Sequence, residues 1–309
     1  MFKDLIVNIF ISMRPRQWLK NLVVFAAIIF SREFFVIDKF LPVFYTFLLF
    51  CVASSAMYLI NDVVDRDRDK LHFSKKTRPV AAGKLPINAA ILVSVVLAII
   101  SITASALLSK YLLFLVIIYL IIELFYTFVL KEIILLDVIA ISFAFMLRIF
   151  AGSIVVLTPL SSWLILTTMM LALFLSVGKR RSEFTLLTSQ QGRQHRKTLL
   201  FYPQQLLDGL VFMMATAILI TYSLFTFNSP ELQQKSFLAS FLPQTLATSK
   251  LLMATIPIVA YGVFRYLYLI FEKSEGESPE RILVSDKPLF LTVVLWILAV
   301  MFFLYFSSI

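Results

Sequence analysis

Asn61, Asp62, Asp65 and Asp69 lie within nine residues of the stretch "LINDVVDRDRDK", Leu59 to Lys70. The three aspartates fall at i, i+3 and i+7, so on a helix they share one face, and as like charges they destabilise it unless something positive binds. Hard oxygen ligands with almost no histidine suit Mg2+, an ion that keeps water and bridges to substrate phosphates. The only histidines, His72 and His195, cannot supply a metal triad, and the single cysteine, Cys51, allows neither an internal disulfide nor a zinc site. Arg66, Arg68 and Lys70 alternate with the acids and point elsewhere, towards lipid head groups or phosphate.

A second cluster carries the opposite sign. "SVGKRRSEF", Ser176 to Phe184, offers Lys179, Arg180 and Arg181 with one acid, Glu183, and Arg193, Arg196 and Lys197 follow. Arginine forks and a lysine point charge at a helix mouth fit phosphate, although anchoring on anionic lipid recruits the same residues. Arg78 precedes Pro79, which favours an extended or turn conformation, and is a candidate pyrophosphate ligand. Lys20 and Arg16 are candidates for a lipid phosphate. Arg148 sits deep in an apolar run, where a charge is costly and usually faces a polar cavity; it could meet a substrate phosphate or pair with Glu123 or Asp137, and Asp137 could instead touch sugar hydroxyls.

These residues must be positioned by membrane helices. Of 309 residues 60% are hydrophobic and only 15% charged, against about a quarter charged in soluble domains. Apolar runs predict nine spans, roughly 19–37, 40–60, 87–108, 111–130, 133–156, 161–178, 207–227, 249–271 and 288–306. The first is interrupted by Arg32 and Glu33. The expected architecture is one all-α polytopic membrane domain, residues 1–309, with loops 61–86, 179–206 and 272–287 capping a site. Most of the 28 Lys and Arg fall on the side of the N-terminus and these loops, which the positive-inside rule assigns to the cytoplasm. The expected location is a cell inner (plasma) membrane. The two longer loops recur four spans apart, hinting at two half-bundles. In the last loop, Glu277, Glu280 and Asp286 are candidates for ordering a lid.

The aspartate-rich stretch resembles the first such motif of the UbiA superfamily of intramembrane prenyltransferases. That resemblance implies nine helices around a central cavity, and a Mg2+-bound diphosphate on Asn61, Asp62, Asp65 and Asp69. It also implies phosphate binding by Lys131, with Tyr126 nearby, in "FYTFVLKE". The second motif departs from the usual aspartate-rich pattern by being basic. "RPRQWLKN", "SSAMYLINDVVDRDRDKLHFSKKTRPVAAGKLP", "SVGKRRSE" and "GESPERILVSDKPL" are similar to a branch of the superfamily that moves phosphoribosyl groups onto decaprenyl phosphate. The implied reaction is Mg2+-dependent transfer from phosphoribosyl pyrophosphate to a polyprenyl phosphate. Its implied residues are Asp62, Asp65, Asp69 and Lys131, with Lys20, Asn61, Arg78, Tyr126, Arg148, Lys179, Arg180 and Glu183 binding substrate. The alternative is ordinary prenyl transfer from a polyprenyl diphosphate to an aromatic or quinone-precursor acceptor. A CDP-alcohol phosphotransferase would need Asp-Gly and Ala-Arg pairs absent from "NDVVDRDRD". A transporter would string charge through the bundle rather than gather it at one end. A homo-oligomer is compatible with the chain; a nucleic-acid partner is not expected.

Overall fold

The computed structural model describes residues 2–72, 75–189, 202–228, 251–272 and 279–306. Arg193, His195, Arg196, Lys197 and Glu277, and most of the expected outer segment, lie outside the described residues. Within them every regular element is helical. A short helix α1 (Phe2–Ser12) leads into a 3-10 stretch (Pro15–Phe25) and α2 (Ala26–Phe30). Then come α3 (Ile37–Val64), α4 (Arg66–Leu71), α5 (Ile87–Leu108), α6 (Lys110–Phe128) and α7 (Leu136–Val156). The second half holds α8 (Ser162–Ser189), α9 (Gln204–Asn228), α10 (Ile256–Phe271), α11 (Pro279–Ser285) and α12 (Lys287–Met301).

Eight helices among the described residues are long and apolar enough to cross a membrane, one fewer than the sequence suggests. The shortfall is the first expected span. Pro15 opens a 3-10 winding, and the chain leaves helix α2 at Ser31, with Arg32 at a positive φ of 62°. Two other boundaries move as well. The sixth span continues as helix through Lys179–Glu183, because its buried charges find partners there, so the expected loop from 179 begins as helix. The aspartate stretch is not one helix either: α3 stops at Val64, Asp65 (φ −87°, ψ 4°) forms a joint, and α4 resumes.

In lipid there is no water-driven force between helices, so small residues and interhelical hydrogen bonds must bring them together. Ala53, Ser54, Ser55 and Ala56 make a full turn of α3 small on every side. Trp18 donates to the Ser55 hydroxyl at 3.0 Å, and Ser94 of α5 donates to the Ala56 carbonyl at 2.8 Å. Gly152 of α7 does the same on the other side of the 3-10 stretch. A Cβ there would stand 1.9 Å from the Val24 carbonyl oxygen, so only glycine admits the backbone. Among the described residues the two largest apolar cores join the 3-10 stretch, α3, α6 and α7 on one side and α8 to α12 on the other. Between them runs a cavity of about 1230 Å³.

Candidate active site at the mouth of the cavity

The joint at Asp65 turns the acids inward. Asp62, Asp65 and Asp69 are buried, whereas Asp67 points out and pairs with Lys70 at 2.8 Å. Each inward carboxylate meets a cation. Arg14 and Arg78 (3.3 Å) reach Asp62, Arg78 reaches Asp69 at 2.6 Å, and Lys131 reaches Asp65 at 2.6 Å and Asn61 at 3.5 Å. Burial pushes the Asp69 carboxyl up, an effect that Arg78 only partly offsets. Burial and neighbouring Arg14 hold the Arg78 guanidinium below its ordinary range, against the pull of Asp62 and Asp69. Asn61, Asp65, Asp69 and Arg78 line the cavity, while Lys131 stands behind Asp65.

The donor set suits a hard divalent ion held partly through water. The second oxygen of Asp62 is buried without a hydrogen-bond partner, an acceptor that costs free energy until something positive reaches it. No three of the described His, Cys, Asp and Glu converge tightly enough to cage an ion alone. An ion here would complete its shell with water and substrate oxygens, as Mg2+ commonly does.

The facing wall belongs to α8. Lys179 and Glu183 line the cavity. Arg180 does not: it is 1% exposed, within 2.9 Å of Asp137 and bonded to Glu183, and it donates to the Tyr126 hydroxyl at 3.4 Å. Its Nε faces Asp137 as an ion pair, out of line for a hydrogen bond. Asp137 also accepts from the Tyr202 hydroxyl at 2.8 Å, and that hydroxyl in turn accepts from the Leu135 amide at 2.6 Å, at a residue of φ 67°. Burial, the largest cause, and Asp137 push the Tyr202 phenol far above its ordinary value. Asp137 is therefore sealed into a structural cluster rather than presented to a sugar. Gly178 lies against α10: a Cβ there would come within 2.7 Å of the end of the Ile270 side chain, which would have to turn away.

The third wall is the 3-10 stretch. Side chains three apart eclipse at three residues per turn, and runs this long are uncommon. Gln17, Lys20 and Val23 consequently stand in one column, and they face the cavity together with Arg14, the left-handed residue that caps the stretch. Gln17 donates to Glu280 of α11, and Lys20 lies 3.2 Å from the other oxygen of that carboxylate. Deeper, Asn21 turns the opposite way and accepts from Arg148 Nε at 2.7 Å. Arg148 also donates to the Ala144 carbonyl at 2.6 Å and to Tyr119 at 2.9 Å, and its guanidinium sits 4.7 Å from the Tyr119 ring centroid. Of the two partners the sequence offers Arg148, Glu123 lies close enough to act on it through charge but makes no direct ion pair with it, and Asp137 is held by Arg180 instead. Arg148 borders the cavity from this fixed position.

Beyond these polar levels the walls turn aromatic. Phe25 packs against Phe40 and Phe47 at 5.8 and 5.7 Å, and Phe40 stacks on Phe44 at 6.0 Å, while Trp296 and Tyr222 face them from the second half. A cavity charged at one end and aromatic along the rest matches an amphiphile with an anionic head and a long hydrocarbon tail. Of the site residues read from sequence, Lys20, Asn61, Asp65, Asp69, Tyr126, Arg78, Arg148, Lys179 and Glu183 border this space, and Asp62, Lys131 and Arg180 stand behind it. Arg14 and Gln17 went unassigned to the site, although both lie in "RPRQWLKN".

Residues 22–294 match the UbiA prenyltransferase family. A decaprenyl-phosphate phosphoribosyltransferase from Mycolicibacterium smegmatis is 32% identical over 309 residues, covering 99% of this chain and 95% of its own. Its counterpart from Mycobacterium tuberculosis is 31% identical over 301 residues, covering 96% and 94%. Among solved structures, a UbiA homolog from Archaeoglobus fulgidus bound to GPP and Mg2+ superposes with a TM-score of 0.68 at 18% identity, covering 96% of this chain and 99% of that one. At that identity the likeness concerns the fold.

Proposed function

The chain belongs to the UbiA prenyltransferase family and is a multi-pass membrane transferase, and from that premise we propose that it moves a phosphoribosyl group from phosphoribosyl pyrophosphate to a polyprenyl phosphate, releasing pyrophosphate. The observation that carries this reading is a cavity with carboxylates on one wall, lysines on the other two and an aromatic chamber beneath. A donor with several phosphates and a lipid acceptor with one need more cations than a single prenyl diphosphate does. The similarity over nearly the full length to the mycobacterial enzymes supports the same choice.

Asn61, Asp62, Asp65 and Asp69 would hold Mg2+, which supplies positive charge to the pyrophosphate leaving group. Arg14 and Arg78, now paired with those acids, are placed to carry the rest of that charge when substrate arrives. Lys131 fixes Asp65, and Arg180 fixes Glu183 and Tyr126, so that these groups need not reorganise during the reaction. Lys20 and Lys179 meet the remaining phosphates across the cavity. The bond from the anomeric carbon to pyrophosphate breaks as an oxygen of the lipid phosphate bonds to that carbon. The attacking group needs no base, since the second pKa of a phosphate monoester is about 6 and it is already anionic near neutral pH. Catalysis then rests on holding the two anions together and screening their charge.

The excess of Lys and Arg on the mouth side supports a cytoplasmic mouth in the plasma membrane. The deciding experiment offers purified protein phosphoribosyl pyrophosphate with a polyprenyl phosphate, and separately a prenyl diphosphate with an aromatic acid. Product only from the second pair would replace this reading with ordinary prenyl transfer.

A further inference from the structure

Among the described acids of the last loop, Glu280 is the one that the structure sends into the cavity. It sits at the start of α11, its side chain only 7% exposed. Nothing in α11 itself explains its burial; what holds it is the column on the 3-10 stretch. Gln17 donates to one carboxylate oxygen and Lys20 approaches the other at 3.2 Å. Lys179, on the opposite wall, is close enough to act on the same carboxylate. Burial pushes the Glu280 carboxyl up, but Lys20 and then Lys179, with Gln17, outweigh it and leave the group below its ordinary range.

The Gln17 amide and the Lys20 ammonium hold a planar anion here, with Lys179 within electrostatic range across the cavity, and such a set is a receptor for an oxyanion at the level where the polar mouth gives way to apolar wall. Leu19, Leu22 and Val23 line the cavity beside Lys20. A protein carboxylate in such a receptor carries one charge, whereas a phosphate monoester carries nearly two at neutral pH and three acceptor oxygens. The second anion would be held more strongly by the same donors.

We propose that Gln17, Lys20 and Lys179 form a phosphomonoester site in which the Glu280 carboxylate is a resident stand-in, displaced together with α11 when the phosphate enters. This deepens the functional reading above and rests on it in supposing that phosphates enter the cavity. Two substrates of that reaction carry a phosphomonoester, the lipid acceptor and the sugar donor at its 5-position. The site is shared chemistry for either, and the experiment separates them.

The test uses the full chain in detergent, with a C15 polyprenyl phosphate and ribose 5-phosphate as separate probes. Calorimetry reads affinity, and amide hydrogen exchange of residues 279–285 reads the position of α11. For one of the probes, Glu280→Gln should tighten binding about fivefold, because no competing charge must be expelled, and Lys20→Ala should weaken it by at least about tenfold. The same probe should raise exchange across 279–285 in the unmodified protein. Glu280→Asp, whose shorter side chain retracts the carboxylate, should shift affinity in the same direction and serves if the Gln variant is recovered unfolded. A Glu280 variant that binds neither probe better, exchange that falls on binding of both, or indifference of both probes to Lys20→Ala overturns the proposal. Neither readout forms product, so a lack of phosphoribosyl transfer would end the functional reading without touching this result.

Discussion

Adjacent residues Lys179 and Arg180 should fail in opposite ways when removed. Arg180 is wholly buried between Asp137 and Glu183, which are 2% and 9% exposed. Arg180→Ala would remove the cation that both carboxylates face, leaving Asp137 inside the bundle with the Tyr202 hydroxyl still bonded to it. Removing one partner of a buried ion pair typically costs about 3–5 kcal/mol, mostly the penalty of the orphaned charge. For a chain of this size that corresponds to a fall in apparent Tm on the order of 10 °C. Asp137→Asn in the Arg180→Ala background removes one orphan and should recover more than about 1 kcal/mol, a coupling that independent sites do not show. Lys179→Ala should leave the melting temperature near that of the parent and raise KM instead. Thermal unfolding in detergent, followed by size-exclusion, and steady-state kinetics read both quantities. An Arg180→Ala protein that melts within about 1 °C of the parent, with only its KM raised, would show that the arginine is a substrate ligand and that the burial argument is wrong.

Asp65→Asn should abolish Mg2+-dependent turnover while the protein remains folded and monodisperse; turnover near the parental level would remove Asp65 from the metal set. Chelating divalent ions from the unmodified protein should give the same loss and be reversed by Mg2+. Tyr202→Phe removes the hydrogen bonds to Asp137 and to the Leu135 amide, a cost of about 1–3 kcal/mol to be read as a lower Tm, and an unchanged Tm would deny the cluster its structural role. The folded-state pKa of Glu280 is depressed from 4.5, so below that value the unfolded chain binds the proton first. Its stabilisation is thus present above about pH 4.5 and lost as pH falls through the lower folded value. Melting curves between pH 3 and 6 should show this slope in the parent, and Glu280→Gln should flatten it.

Much of this was legible in the residues, for identifiable reasons. Apolar runs of about 20 residues read as helices in lipid, since a helix alone satisfies its backbone polar groups within one segment, so spans such as 87–108 and 288–306 lie close to α5 and α12. Asp62, Asp65 and Asp69 announce themselves because four aspartates beside an apolar run have no cheap structural purpose. What the sequence hides is which charges neutralise one another. Arg180 and Lys179 read alike in "GKRR", and only a step of one residue around α8 decides that one is sealed behind Glu183 and the other faces the cavity. Asp137 looks exposed at a helix start, yet Tyr202, sixty-five residues later, covers it. The 3-10 winding is also illegible, because the hydrophobic pattern of 19–37 is compatible with an ordinary span. The close approach of α7 at Gly152 to Val24 of that coil is likewise a contact between segments far apart in the chain.

The winding of that segment makes its length a determinant of chemistry. In a coil of three residues per turn, adding or deleting one residue between Arg14 and Lys20 would rotate everything on one side of the change by about 120°, carrying the arginine or the lysine out of line with the other. An α-helix of identical sequence would already set those two about 120° apart, since each step of three falls about 60° short of a full turn. A relative that kept every one of these residue types but altered their count would therefore present a different set of groups to the same lipid, and would be expected to accept a differently charged head.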